Sequence, residues 1–183
     1  MATIVGSAKD FAIEFEFVSA SGDYKYGKIV FHAKGRVIGD WDDETALLNV
    51  SCAEAKAFLN HSNQRYEQEF SFLAPERVFE LIVADFFDKM PYGLEEQFGS
   101  ENTQRYAEMR DRFHLTGVGS YSMMDLLEVA CYNKNSAEQV LIWKFWDHDE
   151  IFHAEYSLGT IERVIADYLE QLRIIGIDVP AFS

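Results

Sequence analysis

From Asp10 the chain alternates without a break, with Phe11, Ile13, Phe15 and Phe17 on one side and Glu14 and Glu16 on the other. Successive side chains of an extended strand point to opposite faces, so this period of two describes a half-buried strand with one wet face. A turn-like stretch, Ser19 to Asp23, leads to Tyr26–Ala33, which is rich in aromatic and β-branched residues. Lys34-Gly35 then separates that run from Arg36-Val37-Ile38-Gly39. The pattern predicts a three-strand antiparallel meander.

Beyond Asp40 the period changes. Leu48, Cys52, Ala55 and Leu59 recur at helical spacing, and Asp43 is a candidate N-cap with acids in the first turn, predicting a helix from about Glu44 to Asn60. Pro75, favoured at a first helical position, opens a second helix through Val78, Phe79, Ile82, Val83, Phe86 and Phe87 that Pro91 and Gly93 close. Residues 93–112 are the most polar; Tyr106, Met109 and Phe113 fit a short helix from about Asn102, and an ordered surface insertion fits nearly as well. Leu126–Tyr132 and Gln139–Trp146, split by the polar turn Asn133–Ala137, read as a hairpin, and Ile151–Leu158 supplies a third strand. Gly159-Thr160 opens an amphipathic helix with Ile161, Val164, Ile165, Tyr168, Leu169 and Leu172 on its apolar face, ending near Gly176 and Pro180. The order β-β-β-α-α-(?)-β-β-β-α predicts an α+β fold: a largely antiparallel sheet of about six strands with three or four helices packed on it. With no repeat or linker composition in view, residues 1–183 read as one α+β domain.

The charge balance narrows the function classes. Asp and Glu number 31 against 16 Lys and Arg, a net of −15, yet 48% of the 183 residues are hydrophobic and 15% aromatic. Enough apolar area is present for a core, each buried ring contributing about 2 to 3 kcal/mol, so this is a folded acidic protein rather than an acidic tail. Its field repels nucleic acid and anionic membrane and favours basic partners. Cys52 and Cys131, each within an apolar stretch, read as buried reduced thiols. No charged and apolar leader pattern stands at Met1–Asp10, and no apolar run approaches the ~20 residues of a membrane span, so the expected compartment is the cytoplasm.

Catalytic motifs are absent from the sequence: there is no G-x-S-x-G, P-loop, G-x-G-x-x-G after a strand, H-E-x-x-H or C-x-x-C. Gly117-Val118-Gly119 reads as a turn before a strand rather than a phosphate loop. His148 and His153, among Asp147, Asp149, Glu150 and Glu155, resemble a metal or general-base cluster, but a spacing of five puts them on opposite faces of a strand. His32, His61 and His114 read as isolated side chains. No catalytic residue, metal ligand or cofactor site is expected. Two acidic segments with embedded aromatics stand out, Asp40-Trp41-Asp42-Asp43-Glu44 and Asp147–Glu155 preceded by Trp146. Rings flanked by charge are a usual composition of protein interfaces, so Trp41 and Trp146 are candidate anchors, with Asp42, Asp43, Glu44, Asp147, Asp149 and Glu150 as candidate partner-binding charges.

Several blocks together resemble a known family. Phe11-Ala12-Ile13-Glu14-Phe15-Glu16, Tyr26-Gly27-Lys28, Gly35-Arg36-Val37-Ile38-Gly39-Asp40, Gln139-Val140-Leu141-Ile142-Trp143-Lys144 and Glu155-Tyr156-Ser157-Leu158-Gly159 follow the order found in the immunity proteins of bacterial polymorphic-toxin systems, most closely the immunity protein 42 family. Met123-Met124-Asp125 departs from that pattern where an Asp-Gly-Trp-like element is expected. The resemblance implies a binding protein without catalytic residues that neutralises a cognate toxin domain, and the charge suits a basic nuclease toxin as partner. Two other readings stay open: a generic acidic protein-binding module, and a small metal-dependent hydrolase using His148 and His153.

Overall fold

The computed structural model describes residues 1–83 and 112–178. The expected meander is present as β2 (Phe11–Ser21), β3 (Tyr24–Ala33) and β4 (Arg36–Ile38), preceded by a short β1 (Thr3–Gly6). All pair antiparallel in the order β1-β2-β3-β4, and a two-residue β5 (Ala46–Leu47) adds to the free side of β3 at Tyr26 and Gly27. The second hairpin and third strand form β6 (Leu127–Asn133), β7 (Glu138–Phe145) and β8 (Ile151–Ser157), an antiparallel sheet of their own. The fold is therefore α+β and antiparallel as the periodicity predicts, with the strands divided between two sheets.

Four helices complete the described residues: α1 (Leu48–Asn60), α2 (Pro75–Val83), α3 (Tyr121–Leu126) and α4 (Thr160–Ile174). Helix α1 starts later than its spacing suggests. Its N-cap position is Leu47, with no side-chain cap and no acid in the first turn. Asp43 instead accepts hydrogen bonds from the Thr45 backbone N–H (2.8 Å) and hydroxyl (2.6 Å). A short acidic side chain that bonds two residues ahead closes an Asx turn, and that turn competes with the helix for the same donors. Arg112 and Phe113 are helical; the remainder of the predicted helix from Asn102, and of the second helix beyond Val83, lies outside the described residues.

Two hydrophobic clusters hold the layers. In the first, the inward residues of β2 and β3 (Ile13, Phe15, Ile29, Phe31) meet Cys52, Ala55 and Phe58 of α1, the apolar stripe of α4, and Val129, Cys131, Leu141 and Trp143 of the second sheet. In the second, Ala130, Tyr132, Val140 and Ile142 on the opposite face of that sheet meet Val78, Phe79, Leu81 and Ile82 of α2. Strands β6 and β7 are thus buried on both faces, which is why they read as continuous apolar runs, while β2 and β8 alternate. Both cysteines are free and buried, as expected. At the entry to α4, Gly159 takes a positive φ of 81°. The cap comes from another element: Gln139 of β7 accepts the Ile161 N–H at 2.8 Å.

Candidate functional site

The first acidic segment forms the crossing from β4 to β5. Gly39 turns the chain at φ 111°, and two successive Asx turns follow, Asp40 accepting from the Asp42 N–H at 2.9 Å and Asp43 from Thr45. These internal bonds occupy the Asp40 and Asp43 carboxylates, while Asp42 and Glu44 are exposed. Glu44 lies 3.3 Å from the Lys28 ammonium of β3, and the half-buried Trp41 ring is 6.0 Å from the same ammonium. Glu16 stands directly across from Lys28 on β2. Its carboxyl is held below the usual range, chiefly by a hydrogen bond with the N-terminal ammonium at 2.6 Å and further by Lys28.

The second segment is the turn between β7 and β8. Asp147, His148, Asp149 and Glu150 are exposed there. Trp146 is half-buried: its backbone N–H donates to the Leu126 carbonyl at 2.9 Å and its ring packs on Phe79 of α2, 6.5 Å between centres. Phe152, at the start of β8, stacks on Trp143 at 5.7 Å and lies under the Arg36 guanidinium at 4.7 Å. Glu155 is met by Lys134 at 2.7 Å, and that bond lowers its carboxyl below the usual range.

The histidines do not converge. His148 sits 3.8 Å from Asp147 and edge-on to Phe145, whereas His153 faces Glu76 of α2 at 3.8 Å. Among the described residues no group of three or more His, Cys, Asp or Glu side chains could hold a metal ion. The three histidines read as isolated have partners: His61 meets Gln64 at 3.2 Å on the next turn of chain, and, across longer separations, His32 meets Glu14 at 2.8 Å and His114 meets Glu128 at 2.5 Å. Glu128, 2% exposed, also accepts from the Thr116 hydroxyl at 2.9 Å. Sequence reading carried no sign of the His32 and His114 pairs, because their members are 18 and 14 residues apart on different elements.

A cavity of about 650 Å³ opens between Ser62–Tyr66, Asn133–Ser136 and Leu158–Glu162. Its lining holds no histidine or cysteine, and the Glu162 carboxylate within it is already engaged by Arg65 (2.6 Å) and Gln139 (2.8 Å). No helix of the described residues is long and apolar enough to cross a membrane.

Both acidic segments thus expose carboxylates beside a half-buried tryptophan, and the histidines lie apart from one another. The family model described as Immunity protein 42 matches residues 1–171. The chain belongs to the immunity protein 42 family. The span shared with immunity protein 42 takes in all eight strands of the described residues and all but the last turn of α4. The blocks that carry the family resemblance map onto β2, the middle of β3, the β3–β4 turn with β4, β7, and the β8–α4 corner. No curated protein and no solved structure matches the chain.

Proposed function

We propose that this chain neutralises a cognate bacterial toxin domain, made by the same cell, by binding it rather than by turning over a substrate. Membership of the immunity protein 42 family over residues 1–171 carries that reading. The net charge of −15 supports a basic partner, and a nuclease is a toxin class whose phosphate-binding surface acidic side chains complement by standing in for nucleic-acid phosphates. Opposite charges steer encounter and raise association to about 10⁸–10⁹ M⁻¹s⁻¹ at low salt. The acidic turns at Asp42, Asp43 and Glu44, beside Trp41, and at Asp147, Asp149 and Glu150, beside Trp146, are the candidate contact regions.

The test is co-expression with the C-terminal domain encoded by the gene immediately upstream. That domain should arrest growth alone and permit it with this chain present, the two co-purifying as a stable complex. Growth arrest unchanged by this chain, or rescue with no complex, refutes neutralisation by binding to that domain. Reversal of Asp42 and Glu44 to Lys should slow association and flatten its salt dependence; unchanged kinetics would remove that turn from the interface.

A further inference from the structure

The outer face of the first sheet carries a row of rings that the core does not use. On β3 the residues Gly27, Ile29 and Phe31 face the core, so Tyr24, Tyr26 and Lys28 face away from it. The Tyr24 and Tyr26 rings share that face, 6.5 Å between centres, and Tyr24 is 53% exposed. Lys28 continues the row to Trp41, and β5 pairs at Tyr26 and Gly27, which delivers the acidic 40–44 segment to the border of the row. The result is three aromatic rings about Lys28, edged by Glu16, Asp42 and Glu44; Lys28 is already met by Glu44 and set across from Glu16, which also holds the N-terminal ammonium at 2.6 Å.

The tip of this hairpin is fixed before any contact. Asn49, 4% exposed in the first turn of α1, accepts from the Lys25 N–H at 3.2 Å and donates to the Asp23 carbonyl at 3.4 Å. A buried amide that ties down main chain at an exposed tip removes ordering cost from binding. At the β7–β8 turn the rings are committed elsewhere, Trp146 to Phe79 and Phe152 to Trp143 and Arg36.

Resting on the immunity reading above, we infer that the Tyr24–Tyr26–Trp41 face, with Glu16, Asp42 and Glu44 at its edge, is the docking surface for the basic toxin domain. Tyr and Trp on a rigid strand supply large contact area at little entropic cost, and guanidinium groups of a basic surface both stack on such rings and pair with the carboxylates beside them. The occupant is therefore an arginine- and lysine-bearing protein surface.

The experiment measures association and dissociation of the catalytically inactivated upstream-encoded domain on the immobilised full chain, by surface plasmon resonance. Tyr24→Ala/Tyr26→Ala should weaken binding by roughly 30-fold or more, mainly through faster dissociation. Tyr24→Arg, a single change at an exposed ring that sets like charge against a basic surface, should weaken it as well while leaving the melting temperature of the free chain unchanged. Binding within twofold of the parent in both variants overturns the assignment. If reversal of Asp147, Asp149 and Glu150 to Lys then abolishes binding, the interface lies at the β7–β8 turn and the immunity reading survives. A parent chain that fails to bind the domain overturns that reading and this inference with it.

Discussion

Replacement of Arg65 by Met tests what joins the helices to the second sheet. The Arg65 side chain has no exposed surface. It donates through Nη1 to Glu162 of α4 at 2.6 Å, through Nε to the Arg112 carbonyl at 2.8 Å and through Nη2 to the Phe58 carbonyl at the end of α1, and its guanidinium lies over the Phe58 ring. Glu162 in turn accepts from Gln139 of β7, whose other amide atom caps α4. Burial lowers the guanidinium from its ordinary value, with Cys131 and Glu162 opposing that pull, and an arginine remains charged throughout. Methionine fills much of the same volume without charge or donors, so Glu162 keeps Gln139, the Phe58 carbonyl keeps only the His61 N–H at 3.3 Å, and the Arg112 carbonyl loses the Arg65 donor. Removing one member of a buried ion pair costs about 3–5 kcal/mol, a large share of the roughly 5–15 kcal/mol that separates folded from unfolded chains. At about 2–4 °C per kcal/mol for a chain of this size, the melting temperature should fall by about 6–20 °C. Urea unfolding of Arg65→Met, Glu162→Gln and the double variant gives the coupling, and the double should cost at least about 1 kcal/mol less than the sum of the singles. A loss below about 1 kcal/mol in Arg65→Met, or strict additivity, would refute the network.

Two further outcomes follow from burial and close approach. Burial pushes the Tyr132 hydroxyl up to about 12, with Glu155 and Glu76 adding to it, and raises Tyr156, Tyr168 and the Cys131 thiol in the same direction. The folded chain then holds protons that the unfolded chain releases, so for the tyrosines stability is intact below about pH 10 and falls as pH climbs through 10 to 12, by up to about 1.4 kcal/mol per unit for each such group. Tyrosinate absorbance for these rings should rise only together with loss of far-ultraviolet dichroism; all tyrosines titrating near pH 10 with structure retained would contradict this. Gly27→Ala places a Cβ against the Glu16 carbonyl and 2.7 Å from Leu48, which should cost about 1–3 kcal/mol in the urea midpoint analysis; a neutral substitution would mean that α1 and β2 can separate at no cost.

The strands were legible where burial is one-sided or the run is long. The Phe11–Phe17 alternation located β2, and the apolar runs around the Asn133–Ala137 turn located β6 and β7. β1 escaped notice because four residues with only Val5 buried hold no period, and β5 because Ala46 and Leu47 merge with the helical spacing of α1. Assignment of strands to two sheets depends on which faces stack, and alternation reports a face without naming what covers it. Asp43 has the same composition signal as an N-cap and as an Asx turn, so the helix start came out four residues early. Arg65 gave no signal, since one cation in the polar stretch from Asn60 to Gln68 looks solvated until its partner 97 residues away is in place. At the candidate surface the acidic segments were visible from composition, whereas the exposure of Tyr24 and the packing of Trp146 on Phe79 are tertiary facts: an aromatic residue reads the same in sequence whether it fills a core or faces water.

Helix α4 closes over strands made at the other end of the chain. Its Val164 lies against Gly6, its Tyr168 against the Phe15 ring at 5.1 Å and the Ser51 hydroxyl at 2.7 Å, and Tyr156 just before it bonds the Asp10 carbonyl 146 residues away. During synthesis the apolar side of β2 and β3 therefore has only α1 to cover it until the second sheet and then α4 have emerged, and contacts so distant in sequence form slowly. Under the immunity reading, a newly translated copy becomes competent to bind only after α4 has closed on these strands.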